Sequence, residues 1–170
     1  MTKNIRRQLT LFVEHTDAEK IEKIRQQFNP RQSELIKCHV TLCREDEIEN
    51  LKQVVTNINC RAKKDISIEF GQVARFDNGH GVLLPSNGVN IEFQELRRQI
   101  LPGLNDNPGN IEPHITLMHP GNSACTDKIF KKIQKINLPA KLNFKSISLI
   151  EQINGGQWKI LQEWKLRDRT

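Results

Sequence analysis

Cys38-His39-Val40-Thr41-Leu42-Cys43-Arg44 and Pro113-His114-Ile115-Thr116-Leu117-Met118-His119 spell one short strand twice. Each copy carries a histidine, a β-branched aliphatic residue, a threonine and a leucine, and the copies start 75 positions apart. Chance supplies such a matched pair in about one chain in ten thousand or fewer. In a strand, side chains at i and i+2 share a face and stand roughly 6.5–7 Å apart along the chain. His39 and Thr41 therefore point one way, as do His114 and Thr116. Val40, Leu42, Ile115 and Leu117 point the other way, into a core.

Around the motifs, strands and helices alternate. Residues 5–13 read as a strand. Thr16-Asp17-Ala18-Glu19 has capping-box spacing and opens a helix with Ile21, Ile24 and Phe28 on one side. Asn29-Pro30 ends it. The first motif lies in a strand from about Leu35 to Arg44. An acidic start, Glu45-Asp46-Glu47, then leads into a helix with Ile48, Leu51, Val54 and Ile58 inside. Residues 66–76 and 81–85 read as two strands joined by Asp77-Asn78-Gly79-His80-Gly81, which is hairpin chemistry. The plan then repeats: a helix over 91–101, a loop from Pro102 to Pro113 and the second motif strand. A helix over 126–136 follows, burying Ile129, Phe130, Ile133 and Ile136. A last pair of strands, 141–153 and 157–166, closes around Asn154-Gly155-Gly156. Interleaved elements with hairpins indicate an α+β fold with antiparallel sheets.

The composition narrows the function classes. The chain has 170 residues, a net charge of +6 and 36% apolar residues, which suits one core-forming domain. No apolar run reaches the roughly 18–20 residues of a membrane span. The N-terminal apolar run, Leu9–Val13, is too short for a signal peptide, so the expected location is cytoplasmic. Cys38, Cys43, Cys60 and Cys125 form no CxxC pair and read as free thiols. Neither GxGxxG nor GxxxxGK[ST] occurs, which disfavours a Rossmann or P-loop enzyme. The lysines at 128, 131, 132, 135, 141 and 145 cluster in sequence, either as a path for RNA or as a solvated face.

Two motif strands facing each other would line a cleft with two histidines and two threonines. Imidazole gives and takes protons near neutrality. One ring can act as base and the other as acid, while the hydroxyls hold anionic oxygens. With no side-chain nucleophile in the set, attack at phosphorus by water or a ribose hydroxyl fits best. The set requires no metal and no cofactor. A bell-shaped dependence of kcat/KM on pH follows.

The paired His-x-Thr motifs identify a resemblance to the 2H phosphoesterase superfamily, closest to its bacterial 2′-5′ RNA ligase and cyclic phosphodiesterase branch. It spans nearly the whole chain, residues 1–170. The resemblance implies a single bilobal, pseudo-twofold domain whose antiparallel sheets line a central cleft, with helices packed outside. It implies His39 and His114 as the proton-transfer pair and Thr41 and Thr116 as the phosphate holders. It implies hydrolysis of a cyclic phosphodiester, such as the 2′,3′-cyclic phosphate of RNA ends or nucleotides, or of a 2′-5′ linkage. RNA end-joining by the reverse chemistry uses the same four residues. A nucleotide-binding module with little turnover is the alternative from another class. The implied partners are RNA ends, nucleotides or other cyclic-phosphate small molecules, with no membrane and a monomeric chain.

Three further residues are candidate substrate contacts. Arg44 either reaches a phosphate or second nucleotide, or is a solvated strand-end arginine; regular alternation puts it on the opposite side from His39. Phe76 either stacks on a base or packs near the hairpin. His119 touches the cleft rim or is a plain loop histidine. Trp158 and Trp164 read as core residues on one face of the last strand. Pro113 before His114 fits the family pattern, whereas Cys38 before His39 and the exit Cys43-Arg44-Glu45 depart from it.

Overall fold

The computed structural model describes residues 2–60 and 64–167. The remaining positions of the expected 1–170 domain (1, 61–63 and 168–170) lie outside the described residues. In chain order the elements are β1 (Ile5–Phe12), α1 (His15–Phe28), α2 (Pro30–Leu35), β2 (His39–Cys43), a 3₁₀ turn (Glu45–Glu47), α3 (Leu51–Asn59), β3 (Ile66–Glu69), β4 (Ala74–Phe76), β5 (Gly81–Pro85), α4 (Ile91–Ile100), β6 (His114–Met118), α5 (Asp127–Gln134), β7 (Lys141–Phe144), β8 (Ser146–Ile153) and β9 (Lys159–Lys165). Among the described residues, seven strands form one sheet in the order β4-β5-β6-β2-β1-β8-β9, and β3 pairs with β7 in a smaller one. Every pairing between these strands is antiparallel. The α+β class with antiparallel sheets is therefore the observed one.

The two motif strands do not face each other across a gap. They are neighbours, with Val40 opposite Ile115 at the centre of the large sheet. The halves repeat on either side of that junction. Leu11 opposes Val40 as Leu84 opposes Ile115, and Phe12 opposes His39 as Pro85 opposes His114. The back face of the sheet is the core: Leu9, Leu11, Val40, Val82, Ile115 and Leu117 have no solvent exposure. Ile21 and Ile24 of α1, Val54 and Ile58 of α3, Phe93 of α4 and Ile133 of α5 belong to the same cluster. At about 1.5–3 kcal/mol for each fully buried large aliphatic side chain, this layer holds the motif strands flat against the helices.

Local differences from the sequence reading have physical causes. The capping box does not form: α1 starts at His15 after Glu14, with no side-chain cap, because the chain turns directly out of β1 once Val13 N–H donates to Cys38 O. Pro30 does end α1, but it also starts α2, since a missing N–H costs nothing at a first helical position. The first motif strand thus begins at His39 rather than near Leu35. Residues 66–76 divide: β3 leaves for the small sheet and only β4 forms the hairpin with β5. Its turn has left-handed Asp77 and Asn78 (φ 51° and 52°), which short polar side chains tolerate. The strand expected over 141–153 likewise divides at Lys145, β7 joining β3 and β8 joining β1. On α5 only Ile133 is fully buried and Ile129 and Phe130 are half-buried; the helix ends at Gln134, so Ile136 lies beyond it and is exposed. Trp164 is core, its Nε1–H donating to Asn59 Oδ1. Trp158 is not: it lies in the turn before β9, half-buried, beneath the Arg6 guanidinium at 5.4 Å.

Candidate active site

Because directly opposed residues of an antiparallel pair share a face, the Val40–Ile115 pairing settles the site geometry. Both residues are buried, so His39, Thr41, His114 and Thr116 all lie on the open face of adjacent strands. Their strands have the same alternation, half-buried at the histidine and threonine and fully buried between them.

The two imidazoles are held in the same way. His39 Nδ1–H donates to Lys37 O at 2.7 Å, and His114 Nδ1–H donates to Glu112 O at 3.1 Å. A carbonyl only accepts, so the proton sits on Nδ1 in both rings and Nε2 is the nitrogen available for proton transfer. Phe12, opposite His39, meets that ring edge-on with centroids 6.0 Å apart. Burial, above all, pushes the His39 pKa down to about 4. The hydrogen bond to Lys37 opposes this, and the charges of Arg25 and His114 reinforce it. His39 is accordingly neutral at pH 7, and the electrostatic coupling to His114 reflects their proximity.

Each motif strand ends in a β-bulge. Thr10 opposes Thr41 but Leu9 opposes Cys43, leaving Leu42 as the extra residue. Leu83 opposes Thr116 but Val82 opposes Met118, leaving Leu117 extra. The bulge changes the phase of the alternation. Cys43 and Met118 turn into the core, with 0% and 1% exposure. Arg44, in extended geometry at φ −78° and ψ 163°, follows on the His39 side. Regular alternation put Arg44 on the opposite side; the bulge corrects that. His119 is the equivalent residue of the second copy, exposed, with its Nδ1 accepting from Gly121 N–H at 3.0 Å. That bond leaves the His119 proton on Nε2, and burial, followed by the Arg6 charge, lowers its pKa. Phe76 shares the open face through the Leu83–Ala74 pairing, with its ring over Gly81.

Residues outside the motifs complete this face. Arg6, Gln8, Thr10 and Phe12 alternate onto it from β1, and Gln8 Nε2–H donates to Thr10 Oγ1 at 3.1 Å. Their period of two was visible in the sequence, but the pairing that places them beside the motif was not. Among the described residues, no group of three or more His, Cys, Asp or Glu could hold a metal ion.

The 2′-5′ RNA ligase superfamily model matches residues 12–156. No curated protein matches the sequence. Among solved structures, E. coli LigT complexed with phosphate superposes with a TM-score of 0.65 at 16% identity, covering 97% of this chain and 99% of LigT. E. coli LigT complexed with 3′-AMP gives 0.61 at 16% identity, over 95% and 97% of the two chains. A Thermus thermophilus protein gives 0.61 at 14% identity, over 97% and 100%. These structures share the fold. With the family model matched across most of its length, the chain belongs to the 2′-5′ RNA ligase superfamily, the 2H phosphoesterases that its paired motifs resemble.

Proposed function

We propose that this protein is a metal-independent phosphoesterase that hydrolyses a cyclic phosphodiester, the 2′,3′-cyclic phosphate of an RNA end or nucleotide, or a 2′-5′ linkage. The observation that carries the reading is the pair of equally anchored imidazoles, Nε2 free, each beside a threonine on one open face. His39, neutral at pH 7, acts as the base. Its Nε2 takes a proton from water as the water oxygen attacks phosphorus. His114 acts as the acid, giving its Nε2 proton to the ribose oxygen as the P–O bond breaks. The Thr41 and Thr116 hydroxyls donate to the non-bridging oxygens, where negative charge builds up. Arg44 and His119, brought to the same side by the bulges, contact the phosphate or the adjoining nucleotide, and Phe76 offers a face for a base.

The test is hydrolysis of the four 2′,3′-cyclic mononucleotides in EDTA, with wild type and His114→Ala side by side. Wild-type turnover is expected, with a loss of at least ~10²-fold in the variant, the usual scale for one general acid. Wild-type inactivity on these and on 2′-5′-linked oligomers would overturn the hydrolytic reading in favour of a binding module.

A further inference from the structure

The helices of the two halves are exchanged. Helix α1 leads into β2 but packs against β6, and α4 leads into β6 but touches β2. Each delivers a buried polar side chain to the exit of the other half's motif strand. At the end of α1, Asn29 is 1% exposed. Its Oδ1 accepts the His119 backbone N–H at 2.7 Å, and its Nδ2–H donates to Asn122 Oδ1 at 2.7 Å. On α4, Arg97 is also 1% exposed. Its Nη1–H donates to Leu42 O, the carbonyl of the bulge, at 2.6 Å, and its Nη2–H to Glu47 Oε1 at 2.6 Å. Glu47 Oε2 in turn accepts the Arg44 backbone N–H at 2.9 Å.

His119 and Arg44 are equivalent residues, each five positions after its motif histidine. In both copies, then, the first N–H beyond the bulge ends on a side-chain oxygen that the other half supplies or steadies. A bulge leaves ladder groups unpaired, and buried unpaired groups are costly. These clamps satisfy them and fix the direction in which the following side chain leaves the strand.

We propose that Asn29 and the Arg97–Glu47 pair are matched positioning residues, which aim His119 and Arg44 at the substrate from opposite halves. The proposal rests on the phosphoesterase reading for what these two side chains touch, but its geometry can be tested without turnover. A side chain misplaced by about 1 Å costs up to ~10²-fold in rate. Asn29→Ala should therefore lower kcat/KM on the preferred cyclic nucleotide by about tenfold or more, largely through KM. If Asn29 acts through His119, the Asn29→Ala/His119→Ala double variant should match His119→Ala within about twofold, since residues acting as a unit are not additive. Asn29→Asp keeps an acceptor for the His119 N–H and should restore most of the loss. A double variant whose loss is the product of the single losses would overturn the proposal, as would an unaffected Asn29→Ala. Glu47→Ala, which removes the acceptor of the Arg44 N–H, paired with Arg44→Ala, repeats the test on the other clamp if Asn29→Ala fails to fold. Inactive wild type would instead indict the phosphoesterase reading. The clamp is then read by NMR from the His119 ring, whose titration midpoint must move in Asn29→Ala; an unmoved midpoint would overturn it.

Discussion

Acid should destabilise this protein through His39. The perturbation is a drop from pH 7.5 to pH 5. In the unfolded chain the imidazole takes its proton near 6.5, while in the fold, held mainly by burial, it does so only at about 4. Between those values the unfolded state binds more protons, so stability falls as pH falls. The contribution is complete above 6.5 and gone below about 4. At about 1.36 kcal/mol per pH unit, the gap sets a ceiling of about 3 kcal/mol, of which about 2 kcal/mol is lost by pH 5. The ring retains some solvent contact, and screening there brings the expected loss at pH 5 nearer ~1 kcal/mol. The assay is urea unfolding of wild type and His39→Gln at both pH values. Subtraction cancels the other titrating groups, and wild type should lose about 1–2 kcal/mol more than the variant. Equal losses, or an NMR titration midpoint for His39 near 6.5, would refute the burial argument. The same low value extends the active range downward: if His39 is the base, the acid limb of kcat/KM should fall well below neutrality, toward pH 4.

Other outcomes follow from the packing and the surface. Ile115→Ala, at a fully buried position where the halves meet, should cost about 2–5 kcal/mol, read as a lower urea midpoint with unchanged slope. Gly81→Ala would place a methyl 2.5 Å from Phe76 Cε1, so the ring must move. If Phe76 supports a base, KM for cyclic nucleotides should rise while stability falls by about 1–3 kcal/mol. Lys128, Lys131, Lys132 and Lys135 are exposed and take part in none of the ion pairs among the described residues. If they guide RNA, salt should slow turnover of oligonucleotides but not of mononucleotides.

The period of two in the motifs made the site legible, because an apolar residue on each side of His39, Thr41, His114 and Thr116 can be satisfied in only one way. The helices 91–100 and 127–134 were legible from their apolar stripes, and the β4–β5 and β8–β9 turns from Asn-Gly chemistry. Local pattern did not carry partnership. Nothing in Ile66–Glu69 or Lys141–Phe144 says that these segments leave the large sheet to pair with each other. The bulges did leave a trace, in the consecutive apolar pairs Leu42-Cys43 and Leu117-Met118, which break the alternation at the same place in both copies. That break, taken as a bulge, turns Arg44 to the correct side. Asn29 and Arg97 gave no local sign, since their partners lie far away in sequence.

That distance has a consequence for synthesis. Asn29 meets His119 across 90 residues, and Arg97 meets Leu42 across 55. Contacts of such long range form late, after the loops between them have closed. A chain emerging from the ribosome exposes its first motif while the strand that must lie beside it is still unmade. The nascent N-terminal half therefore waits with an open strand edge at β2, and both the edge and the site close in one event when β6 arrives.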